Sequence, residues 1–269
     1  MLFKQWNVYS EPRHHLDTLL EDTSDRESLQ VAPLPTIKLI TPIDTSIYKK
    51  IIITTKLFRS LFSRHADRAT QVSCFQIGWQ TKGKEHVLYR EDFQVQEDNT
   101  SQTESHILEF PVLQFDEETL FLSVAEDILH VPPVAANLLS REVAKLCAAP
   151  LDVLVVGASD RIEEVKYVGY PTADSNHNLP IFNPPEFLTN FTASIMTQLI
   201  LNKVEFRGYI APSEGPSGYE KLTMETMDTL IDLTWFELGS GDRDAYVKEC
   251  HRNWRLNGTA MGAQTGLYL

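Results

Sequence analysis

The chain has 269 residues, 42% hydrophobic and 23% charged, an ordinary globular composition long enough to bury one substantial core. Its 24 basic and 37 acidic side chains give a net charge of −13. No basic stripe interrupts that balance, which argues against nucleic acid and anionic membrane as partners. The 3 cysteines, Cys74, Cys147 and Cys250, lack C-x-x-C spacing. They point to small core thiols in a reducing, cytoplasmic setting rather than to a disulfide framework or a zinc site. The first residues, MLFKQWN, carry no apolar leader, so no secretory signal is expected. No apolar run approaches the ~18 residues of a membrane span.

In chain order, residues 1–35 are polar and acidic and end in Pro33 and Pro35, which predicts an N-terminal arm. The β-branched run 50–55 predicts a strand. Leu57, Phe58, Leu61 and Phe62 follow at three- and four-residue steps, as in a short helical turn or packed loop. Residues 80–105 are mostly polar and predict a long surface loop or hairpin insertion. The stretches 107–115 and 119–124 alternate around Asp116-Glu117-Glu118, as two strands joined by an acidic turn do. A helix is predicted from Pro132-Pro133 to about Cys147, with Ala135, Leu139, Val143 and Leu146 on one face. Residues 151–156 are continuously apolar, the pattern of a strand covered on both sides. A strand at 167–170, a helix from Pro184-Pro185 to about Leu201, a strand at 206–211, a helix at 223–233 and a last helix marked by Tyr246, Cys250 and Trp254 complete the order. The alternation predicts an α/β fold: a layered mixed sheet flanked by helices, one domain over 36–256. Residues 257–269 are small, glycine-rich and free of charged side chains, which predicts a flexible C-terminal tail.

Two places could carry function. Gly157-Ala158-Ser159-Asp160 follows a buried strand and half matches the nucleophile elbow G-x-S-x-G, with Arg161 in place of the closing glycine. Ser159 and Asp160 read either as the site of an α/β hydrolase- or phosphorylase-like enzyme or as a loop capping a following helix. The second place is the end of the tail. Leu267 offers apolar burial, Tyr268 a ring with a hydroxyl, and Leu269 the terminal carboxylate. A pocket with a lysine at its base and backbone donors around it can read all three; the alternative is a frayed end. The 8 histidines are scattered and Glu117-Glu118 and Glu163-Glu164 read as solvated, so neither a metal nor another cofactor is expected.

The stretches MLFKQWN (1–7), VVGASD (155–160), PPEFLTNF (184–191), TQLI (197–200), APSEGPSGYEKL (211–222) and GAQTGLYL (262–269) resemble the fungal proteasome assembly chaperones. The resemblance implies a non-catalytic protein. Members of that family pair as heterodimers with a second, related chaperone. The pair sits on the outer face of the proteasome α-ring, and hydrophobic–tyrosine–any tails enter pockets between α subunits, which also blocks premature activator docking. On this sequence the motif falls on Leu267, Tyr268 and Leu269. The implied fold is again a sheet flanked by helices.

Overall fold

The structure is a computed structural model that describes residues 34–82, 103–125, 133–148, 151–171, 179–215, 219–238, 241–257 and 259–260. All of these belong to the unit Leu34–Leu269. The predicted arm (apart from Leu34 and Pro35), most of the polar stretch 80–105 and the end of the tail lie outside the described residues.

Eight strands form one mixed sheet: β1 (Thr36–Leu39), β2 (Lys50–Thr55), β3 (Thr70–Lys82), β4 (Thr103–Gln114), β5 (Thr119–Val124), β6 (Asp152–Ser159), β7 (Lys166–Tyr170) and β8 (Phe206–Pro212). Their spatial order is β1-β3-β4-β5-β2-β6-β8-β7. The centre is parallel, with Ile52 opposite Phe121 on one side and Leu154 on the other, and Val156 opposite Tyr209. The flanks are antiparallel, β1-β3-β4 with β5 on one side and β7 against β8 on the other. β2 forms where five β-branched residues stand in succession and branched side chains favour extended backbone. It is buried on both faces, as is β6, which explains their unbroken apolar runs.

Among the described residues there are five α-helices: α1 (Ser63–Ala66), α2 (Pro133–Leu146), α3 (Asn190–Leu201), α4 (Met224–Leu238) and α5 (Arg243–Leu256). On one face of the sheet, Ala135, Leu139 and Val143 of α2 and Phe191, Ile195 and Leu199 of α3 pack with Ile51, Ile53, Val153 and Val155. The Ser194 hydroxyl joins the two helices through Asn137 Oδ1 at 2.6 Å. On the other face, α4, α5 and the 3₁₀ helix Lys56–Phe62 pack with Ile52, Leu154, Val156 and Tyr209. The Tyr246 hydroxyl, buried in that layer, donates to the Leu61 carbonyl at 2.8 Å and lies 2.8 Å from the Thr234 hydroxyl, so one side chain ties three elements together.

The layered mixed sheet flanked by helices is therefore the observed fold. Two local readings differ. The helix predicted from Pro184 begins at Asn190. Residues 180–182 are held in extended form beside β7 by bonds from Tyr167 N to Pro180 O (2.9 Å) and Phe182 N to Tyr167 O (2.8 Å). Glu186, within the predicted helix, instead pairs with Lys166 and accepts from Asn183 N at 3.0 Å. The chain then enters the helix through Asn190 at φ 58°, a left-handed conformation that asparagine tolerates better than most residues. Second, β6 is followed by a turn into β7 and not by a helix, so Ser159 caps no helix.

Candidate partner-binding site

The parallel strands β2, β5, β6 and β8 all end at one edge of the sheet, and Ser159 of the first candidate site closes β6 there. Ser159, the last residue of β6, is buried. Its hydroxyl donates to the Phe187 carbonyl and accepts from Arg161 N, both at 3.2 Å, while its carbonyl accepts from Ser213 N at 3.1 Å. Every partner is a backbone group. Ser159 is thus the joint between three loops, and no base activates it. Asp160 is exposed beside Arg161, whose guanidinium lies 5.4 Å from the centre of the Phe187 ring. The enzyme reading of Ser159-Asp160 loses its basis, because a nucleophile needs an adjacent base and an oriented proton path.

The approach of α3 to this edge is set by Gly157. A methyl group there would stand 2.2 Å from Thr192 Cγ2, so only glycine lets the start of α3 reach β6.

The segment leading to the tail is fixed at the same edge. After β8 the chain forms a short hairpin in which Glu214 and Lys221 exchange both backbone hydrogen bonds, at 3.0 and 2.7 Å. Leu222, fully buried, then bridges in parallel to Ala260, and its N–H donates to the Thr259 carbonyl at 3.0 Å. Ala260 is itself part of the core. The loop that begins with Ser213 therefore holds Ala260, the last described residue before the final 9 of the sequence. Leu267, Tyr268 and Leu269 lie outside the described residues.

The opposite edge, where the parallel strands begin, carries a charge network that the sequence analysis missed. Arg207 of β8 donates to Asp152 of β6 through Nε (3.1 Å) and Nη2 (2.7 Å), and through Nη1 to Glu237 of α4 at 2.6 Å. Lys50 of β2 reaches Glu237 Oε2 at 3.1 Å and the Glu237 carbonyl at 3.0 Å, and the Tyr209 hydroxyl adds a bond to Glu237 Oε1 at 3.0 Å. Glu237 has a side chain only 4% exposed, yet two cations and a phenol satisfy it. Burial pushes the Asp152 carboxyl up, but hydrogen bonds and charge from Arg207 and Lys50 outweigh it and hold the group below the usual carboxylate range. The signal was a charged residue at the start of each of three strands, which shows only once their register is known.

Among the described residues, no group of three or more His, Cys, Asp or Glu could hold a metal ion, and no helix is long and apolar enough to cross a membrane. Cys74, Cys147 and Cys250 are free and buried, and burial pushes the Cys147 thiol up to about 12.

Comparison with known proteins supplies what the edges alone do not. The model of the POC1 chaperone family matches residues 1–269. The chain is 34% identical to Proteasome chaperone 1 of Saccharomyces cerevisiae, over 100% of both chains. Among solved structures it is similar to Pyrococcus furiosus PbaA, an archaeal homolog of proteasome-assembly chaperone (8% identity, 82% of this chain, 94% of that one, TM-score 0.49). It is also similar to P. furiosus PbaB, an archaeal proteasome activator (12% identity, 83% and 97% coverage, TM-score 0.49). The family role is non-enzymatic, in keeping with a serine held only by backbone groups. By the full-length match, this chain belongs to the POC1 chaperone family.

Proposed function

We propose that the chain is an assembly chaperone of the proteasome core particle that works in the cytoplasm as a heterodimer with a second, related chaperone. The carrying observation is the 34% identity to Proteasome chaperone 1 over the whole of both chains. In this reading the body rests on the outer face of the α-ring, and Leu267, Tyr268 and Leu269 enter a pocket between α subunits. Occupied pockets then refuse the tails of activators until assembly is complete. The fixed root at Leu222 and Ala260 supports the reading, because a tether that starts on a rigid body keeps its end at high local concentration.

Three residues give too little affinity alone, so the body and two tails of a heterodimer share the work. Removing residues 267–269 weakens capture of proteasome precursors by about a hundredfold, the usual order of an avidity loss, while the melting temperature stays unchanged. Full-strength capture by the truncated chain overturns the role of the tail. Release follows when maturation of the α-ring weakens either element. Dissociation rates measured from immature and mature particles test this, and equal rates remove it.

A further inference from the structure

Ala260, the last described residue before the tail, is held at one edge of the sheet. Large apolar side chains are exposed there. Phe187 (49%) follows the Ser159 joint, Tyr219 (66%) stands in the hairpin, Met224 (55%) opens α4 and Leu256 (76%) closes α5. Their common edge follows from the directions of the elements. The start of α3, just after Phe187, meets the end of β6 at Gly157. α4 starts two residues after Leu222 and carries Glu237 in its last turn at the opposite edge, beside Lys50 and Arg207. α5 runs back against it, with Arg243 bonded to Asp232 and His251 to Asp228 at 2.9 Å, which returns Leu256 to the level of Met224.

Only 9 residues follow Ala260, and even fully extended they span about 30 Å. Whatever holds the last three residues therefore lies within that reach of this edge, and the body must turn this edge toward it. We infer that the end-face carrying Phe187, Tyr219, Met224 and Leu256 around the Leu222–Ala260 bridge is the body's docking surface for the outer face of the α-ring, the same partner that takes the tail. The inference rests on the proposed function and adds which side of the body makes contact. Exposed apolar groups with a hydroxyl among them suit a protein surface with a polar rim, where aromatic and methionine side chains dominate binding. Ile47 and Leu201, equally exposed at the opposite edge, have no tail root beside them and serve as controls.

The test uses the full chain with its second chaperone and immobilised core particles. The triple variant Tyr219→Ser/Met224→Ser/Leu256→Ser and, separately, Phe187→Ser and Tyr219→Glu are expected to bind about tenfold or more weaker. Ile47→Ser/Leu201→Ser binds normally. In each variant heterodimer formation and melting temperature stay at the wild-type value, and a free peptide of residues 262–269 competes as before. Normal binding by the end-face variants, alongside weakened binding by a chain lacking 267–269, overturns this inference and leaves the tail reading intact. Loss of heterodimer formation in the end-face variants assigns the surface to the second chaperone and also overturns it. Failure of the wild-type heterodimer to bind core particles overturns both readings.

Discussion

The two edges of the parallel sheet solve opposite problems. Where the strands begin, Lys50, Asp152, Arg207 and Glu237 interlock, and Lys50 and Glu237 fasten the last turn of α4 to the sheet. Where the strands end, bonds to backbone groups do the fastening, through the Ser159 hydroxyl and carbonyl, the Glu214–Lys221 hairpin and Leu222. Side-chain networks give the first edge rigidity. At the second edge Phe187, Tyr219, Met224 and Leu256 are exposed, and the docking surface proposed above falls there. On that proposal stability and recognition are separated along the strand axis, and substitutions at the two edges should fail in different assays.

The largest stability effect is expected at the charged edge. Arg207→Met leaves the buried Glu237 with Lys50 and Tyr209 alone and should cost about 3 kcal/mol, the low end for breaking a buried pair. Urea denaturation measures it, and partner binding by the folded fraction should not change. Next comes the packing joint behind the other edge. Gly157→Ala drives a methyl group into Thr192 and should cost about 1–3 kcal/mol, partly recovered by adding Thr192→Ala. An additive double mutant would show that α3 is displaced as a whole.

A smaller effect is set by pH. The Asp152 carboxyl titrates below its unfolded value of about 3.9, so its contribution is complete above that pH and is lost as pH falls through the folded value. Melting temperature should drop below about pH 4, with a shallower acid limb in Asp152→Asn. The smallest effect belongs to the docking edge, where Tyr219→Ser and Leu256→Ser should shift stability by no more than about 0.5 kcal/mol. A cost of several kcal/mol there would erase the contrast between the edges.

Much of this architecture was legible from pattern. The runs at β2 and β6, the hairpin of β4 and β5 around Asp116–Glu118, and the apolar faces of α2 and α4 all follow from periodicity and turn chemistry. β3 went unread although Phe75, Ile77 and Trp79 alternate with Gln76, Gly78 and Gln80, because its polar end merged with the stretch beyond Lys82. β1, at four residues, is too short to carry a period. Pro184-Pro185 predicts a helix start, but the pairing of residues 180–182 with β7 is a tertiary contact that no local signal encodes. The end-motif is a reading of three adjacent residues, Leu267, Tyr268 and Leu269, which lie outside the described residues. Its root was not legible, because Leu222 and Ala260 become neighbours only in the folded chain.

The central place of β2 has a kinetic consequence. Its neighbours are supplied by β5 and β6, and the Thr54 hydroxyl donates to a carbonyl 102 residues further on, at Val156. A chain emerging from the ribosome cannot close its middle strand until β6 is free of the exit tunnel, and such distant pairing makes folding slow. Meanwhile Ile51, Ile52 and Ile53 are an unpaired, sticky segment. A protein that guards the assembly of others would then itself spend its first seconds among general folding factors, and its supply in the cell would follow their capacity.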